Sequence, residues 1–296
     1  MSIIQKLDRK GLLNGAPACV LTPELEVIMG SFAYGVSSDS SDVDVYSVCI
    51  PPKEQVFPHL NGRVPGFGPQ PNIFQNWQRH HIKVEEGTVT EKEYDITSYS
   101  ITEFFRLAAD NNPNIIDALF VPDRCVTHKT DVGTVMRDNR KLFLHKGSYQ
   151  KFKGYAYSQM KKIGEQKPVG KRAILVEQFG YDVKFAYHVV RLAQEAEMIL
   201  LKGDLDIEAG REELKAIRRG EWTLPQLQEW FAKRTALLDE VFLKSDLRSE
   251  PNFDDLNRVL MVCLEIKFGT LTNALVEGEG QAALRKLEEI ARIVSR

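Results

Sequence analysis

The chain has 296 residues, 43% apolar and 27% charged, with a formal net charge of −2. That makeup suits a water-soluble globular protein of one large or two modest domains. The near-neutral balance supplies no global basic field, so any grip on nucleic acid must come from a local patch. Four scattered cysteines with no C-x-x-C pair argue against a structural zinc site and a disulfide scaffold. With no secretory h-region in residues 1–10 and no 18-residue apolar run, the expected setting is the cytoplasm, with no membrane partner.

In chain order, residues 17–21 and 26–29 form a short strand or helix end leading into a sharp turn at Gly30. Residues 43–50 alternate like a strand that ends at Pro51-Pro52. The stretch 51–86, rich in Pro, Gly, Asn and aromatic residues, shows no sustained period and is expected to be a long loop over the site. Residues 93–99 alternate again, and Ser100 followed by Glu103 has the spacing of a capping box opening a helix over 101–109.

The segment 111–114 breaks that helix, and a short apolar helix covers 115–120. Apolar residues at i, i+3, i+4 and i+7 then mark helices over 151–162, 181–201, 224–244, 253–268 and 281–296. The expected architecture is α/β in the α+β sense. A small mixed sheet with flanking helices occupies 12–140, and a helical domain occupies 141–296.

Chemistry concentrates in residues 30–44. Gly30 and Ser31 are small enough for backbone amides to approach phosphate oxygens at a turn. Asp42 and Asp44, two apart on a strand, project from one face and suit hard divalent cations through oxygen ligands. Asp95, in the next strand-like segment, is the candidate third carboxylate, completing a site for two ions about 3.5–4 Å apart. Lys184, His188 and Arg191, at i, i+4 and i+7 of one helix, are expected to aim three donors at a triphosphate or acceptor.

Three weaker candidates accompany them. The cations of 151–162 interleave with tyrosines in a way that suits stacked bases, though surface lysines explain them equally well. Arg79-His80-His81 lacks ligand spacing and reads as incidental. Arg140 and His145 form a short, common R-x4-H pair at a domain join.

The pattern G-S-x3-G-x6-D-x-D over residues 30–44 resembles the nucleotidyltransferase motif of the polymerase beta superfamily. More closely, the chain resembles the RNA-repair-pathway polymerase beta family of bacteria and large phages. That likeness is carried by Asp95-Ile-Thr-Ser-Tyr-Ser100, Asn112-Pro-Asn114 and the run from Gly180 to Arg191, and covers roughly residues 15–245.

The resemblance implies transfer of a nucleoside monophosphate from an NTP to an acceptor hydroxyl with Mg2+ or Mn2+, releasing pyrophosphate. Gly30 and Ser31 would meet the triphosphate, Asp42 and Asp44 would ligate metal, and Asp95 would complete the triad nearest the attacking hydroxyl. An RNA end is the acceptor that the family context favours. Two other readings stand beside it: a protein or small-molecule hydroxyl as acceptor, and a module that binds nucleotide or RNA without turnover.

Overall fold

The computed structural model describes residues 1–37, 41–57, 68, 73–86, 90–165 and 169–269. Its frame is one five-stranded mixed sheet in the order β3-β4-β2-β1-β5. The strands are β1 (Leu25–Ile28), β2 (Val43–Cys49), β3 (Asn76–Glu86), β4 (Thr90–Ser100) and β5 (Val126–Lys129). β2 runs parallel to β4, while the β1–β2, β1–β5 and β3–β4 pairs are antiparallel.

Alternation along each strand gives the sheet two different faces. On one, Val43 and Val45 of β2, Tyr94 and Ile96 of β4, and Ile82 and Val84 of β3 bury against Ile4 and Leu7 of helix α1 (Ile3–Arg9). That helix is fastened by a charge. The buried Glu26 carboxylate on β1 accepts from the backbone amides of Ile3 (2.6 Å) and Ile4 (2.9 Å) and from the Thr127 hydroxyl (2.6 Å). A carboxylate at a helix N-terminus satisfies orphan amides and meets the positive end of the dipole.

The other face carries the helices. Three short ones, α2 (Gly30–Ala33), α3 (Lys53–Val56) and α4 (Ile101–Ala109), flank the strands. They are followed by α5 (Pro113–Phe120), α6 (Asp131–Asp138), α7 (Gly147–Glu165) and α8 (Lys171–Phe179). The last four described are α9 (Val183–Lys202), α10 (Arg211–Arg218), α11 (Leu224–Lys244) and α12 (Phe253–Phe268). The larger hydrophobic cluster runs through all of this, from Leu25 to Leu264, so buried residues on both sides of position 140 share one core. Lys267, at the end of α12, returns to Glu24 beside β1 at 2.7 Å.

The expected strands at 43–50 and 93–99 and the helices at 101–109, 115–120, 224–244 and 253–268 are present, with boundaries shifted by a few residues at most. The loop expected over 51–86 is corrected: its last eleven residues are β3. The Ser100 cap is half of the expected box. Its hydroxyl accepts from the Glu103 amide at 3.2 Å, whereas the Glu103 carboxylate turns to Arg106 at 2.6 Å. The expected helix at 281–296 lies outside the described residues. Among the described residues, no helix is long and apolar enough to cross a membrane.

Replacing Glu26 by Ala leaves the Ile3 and Ile4 amides without their acceptor and the Thr127 hydroxyl with the Glu26 carbonyl alone, at 3.2 Å. We expect a loss of about 3 kcal/mol of unfolding free energy, read from urea denaturation.

Candidate active site

The parallel register of β2 on β4 sets Asp44 directly opposite Asp95. Directly paired residues point to the same side of a sheet, and side chains alternate along each strand. Asp42 therefore shares the face of Asp44 from just before the strand, so all three acids lie on the helix-covered side, with Asp44 and Asp95 directly paired. Ligand atoms within 4.8 Å of one another are found, among the described residues, for His81, Glu93 and Asp95 rather than for this triad. The half-buried Asp44 is affected most. Burial raises its pKa, the negative charge of Asp95 raises it further and Asp42 adds to this, while Lys184 and His80 pull the other way. Each of these neighbours is thus close enough to be felt at one carboxylate.

Gly30 lies against that carboxylate. Its φ is +63°, a conformation that favours glycine, and a Cβ built on it would collide with Oδ2 of Asp44 and lie 3.0 Å from its Cγ. The preceding Met29 amide donates to the Asp44 carbonyl at 2.7 Å, tying the turn to β2. Gly30 opens α2, with Ser31 half-buried at its second position. The sequence requirement for a small residue at 30 thus has a definite cause, the approach of the Asp44 side chain.

From the far end, α2 is anchored by the helical part of the chain. Tyr34 caps it and donates its hydroxyl to Asp117 on α5 at 2.6 Å. Arg191 of α9 pairs with the same Asp117 and, at 2.9 Å, with Glu195, and its guanidinium lies 4.3 Å from the centre of the Tyr34 ring. All four side chains are buried. Burial pushes both carboxyls upward despite the arginine, Glu195 well above its ordinary value. Arg218 of α10 adds a 2.6 Å hydrogen bond to the Val36 carbonyl just beyond the turn.

This corrects the expectation that Lys184, His188 and Arg191 together aim three donors at a triphosphate or acceptor. Helical spacing aligns them, but neighbouring elements cover the row unequally. Lys184 is exposed, His188 is half-covered, and Arg191 is only 2% exposed and committed to Asp117 and Glu195. Lys184 is the member whose charge reaches Asp44. The His188 imidazole is held well below its usual pKa, first by burial and then by Arg191, Lys184, Arg172 and Arg218, so it is neutral at pH 7.

The tyrosine-lysine face of α7 is largely occupied within the fold. Lys151 pairs with Asp110 at 2.6 Å, Lys153 with Asp239, and Tyr157 packs edge-on against Phe231. Arg140 donates to the Arg137 carbonyl, and His145 is buried against the Ala109 carbonyl, which accounts for that pair structurally. Asn112 caps α5 through the Asn114 amide.

His80 and His81, which lack ligand spacing in the sequence, find partners in the fold. Between the pairs Arg79–Ile96 and Ile82–Tyr94, β3 has two residues, His80 and His81, where β4 has only Asp95. This is a β-bulge, and it places both histidines around the third acid. The His81 amide donates to Oδ1 of Asp95 at 2.8 Å, and Nδ1 of His80 lies 3.6 Å from the same oxygen. His81 takes φ +57° to do so, and its ring contacts Glu93, whose carboxylate raises the imidazole pKa.

The sequence profile of RlaP, the RNA repair pathway DNA polymerase beta family, matches residues 25–261. The chain belongs to this family. The family match contains every element from β1 to α11, and with them Gly30, Ser31, Asp42, Asp44, Asp95 and Lys184. An uncharacterized 38.9 kDa protein from the nrdC-mobD intergenic region of Enterobacteria phage T4 is 29% identical over 140 residues. That stretch is 46% of this chain and 37% of the phage protein. The crystal structure of a nucleotidyltransferase-like protein from Exiguobacterium sibiricum covers 88% of this chain and 78% of its own, at 6% identity and a TM-score of 0.28, too low to add to the family match.

For this RNA repair pathway polymerase beta family member, Gly30→Ala is the sharpest steric test. It requires both a strained φ and displacement of the Asp44 carboxylate. We expect a protein that folds, by circular dichroism, but with an unfolding free energy lower by about 1 kcal/mol or more, read from urea denaturation.

Proposed function

We propose that the protein is a metal-dependent nucleotidyltransferase that moves a nucleoside monophosphate from an NTP to an acceptor hydroxyl, with an RNA end as the acceptor. The observation that carries the reading is the placement of Asp42, Asp44 and Asp95 on one sheet face, with Asp44 paired to Asp95 against a turn whose glycine admits the Asp44 carboxylate. Family membership supports the reaction class, and the RNA repair pathway in the family's description supports the acceptor.

The donor set fits a hard divalent cation such as Mg2+ or Mn2+. Three carboxylates on one sheet face offer only oxygen, and the upward push that Asp95 and Asp42 exert on Asp44 is repulsion that a cation drawing them together would relieve. Asp42, Asp44 and Asp95 would hold it. When bound, such an ion lowers the pKa of an acceptor hydroxyl and offsets charge on the triphosphate and the leaving pyrophosphate.

The chain's own groups supply position and charge. Gly30 and Ser31 lie on the β1 side of Asp44, so the triphosphate is assigned to that side, with the exposed Lys184 ammonium as its counter-charge. Asp95 lies one strand farther, beside β3, which assigns the acceptor to the opposite side. Attack then forms a bond between the acceptor oxygen and the α-phosphorus while the bond to the β-phosphate oxygen breaks. The electron pair leaves with pyrophosphate, and the acceptor proton passes to Asp95 and on to water. Arg191, Asp117 and Tyr34 act through the turn they brace and do not touch substrate.

Incubation with each α-labelled NTP and Mg2+ or Mn2+, offering RNA, proteins and small molecules as acceptors, tests this. Label is expected on RNA ends, falling at least about a thousandfold in Asp44→Asn. In Lys184→Ala, KM for NTP is expected to rise about tenfold or more with a smaller change in kcat. Label on protein or a small molecule would replace the acceptor. Undiminished transfer by Asp44→Asn would refute the site.

A further inference from the structure

We infer that the β3 bulge builds a second cation site, in which the His81 imidazole and the Glu93 and Asp95 carboxylates take a first-row transition-metal ion. One ligand atom from each of these three residues lies within 4.8 Å of the other two, the spread that one ion can draw together. The set differs from the acid triad in kind. It contains a nitrogen donor, and imidazole with two carboxylates suits ions such as Mn2+ and Zn2+ better than Mg2+, which favours all-oxygen surroundings.

Access and direction both fit. The His81 side chain is 78% exposed, while Glu93 and Asp95 are largely covered, so the two acids are fixed and the imidazole forms the open side through which an ion enters. The His81 amide fixes one Asp95 oxygen at 2.8 Å, a backbone hydrogen bond that orients the carboxylate much as outer partners orient ligands in established metal sites. Because Asp95 also faces Asp44 across the β2–β4 pairing, this site adjoins the nucleotide site and shares one residue with it. An ion here would sit on the acceptor side of Asp95. The inference rests on the proposed function only in sharing that residue.

Calorimetric titration of the full chain with MnCl2, ZnCl2 and MgCl2 tests the assignment without reference to activity. Wild type is expected to bind one Mn2+ or Zn2+ that His81→Ala and Glu93→Gln bind at least about tenfold more weakly, with Mg2+ binding unchanged. Asp44→Asn is expected to keep that ion. Equal Mn2+ and Zn2+ affinity in wild type and His81→Ala would overturn the site, as would loss of the same ion from Asp44→Asn. Should His81→Ala fail to fold, imidazole NMR signals of the wild type decide. Diamagnetic Zn2+ should shift the His81 ring signals at one equivalent while those of His128 stay in place, and His81 signals that Zn2+ leaves unmoved would overturn the site. Retention of the His81-dependent ion in a protein with no transfer activity would sink the proposed function and support this second site.

Discussion

Two carboxylates held side by side on adjacent parallel strands, one of them pressed against a glycine, set the terms for the rest of the molecule. Asp44 and Asp95 repel, and burial adds to the cost of charging Asp44. A fold keeps such an arrangement only when its surroundings over-determine it. Here β2 is central in the sheet, its reverse face is packed against α1, and the Gly30 turn is pinned to it through Met29.

The helical half contributes more than a cover. The buried set of Tyr34, Asp117, Arg191 and Glu195 runs from the end of α2 through α5 to α9, joining the turn beside Asp44 to the long helix that also presents Lys184. One arginine faces two carboxylates in the interior, and both are met through a single nitrogen, Nη1. Removing one partner from such a set leaves a buried group unpaired, which costs far more than the pair itself contributes. The positions of the Gly30 turn and of Lys184 are thus set by the same helix.

What was legible in the sequence was local. The spacing of Gly30, Asp42 and Asp44 could be read because all three lie on one turn and one strand, and the amphipathic helices could be read because their period is intrinsic. The partnership of Asp44 with Asp95 depends on a register between separate strands, and it followed from the family resemblance and from strand alternation at 93–99. β3 was hidden by its own bulge. Trp77 and Ile82 pack on the same side although they are five apart, because the extra residue at His80-His81 shifts the alternation by one. The two histidines read as incidental because their partners, Glu93 and Asp95, lie on another strand, brought opposite them only by the β3–β4 register. Arg191 misled for the converse reason: helical spacing gives an angle around α9, but only the packing of other elements decides which part of that angle meets water.

The most direct test of the central claim is the position of metal in crystals grown with Mn2+ and a non-hydrolysable NTP, located by anomalous scattering. Manganese is expected on Asp42, Asp44 and Asp95, with the triphosphate against Gly30 and Ser31 and Lys184 facing it. Manganese and nucleotide bound elsewhere, with the three carboxylates unliganded, would contradict it.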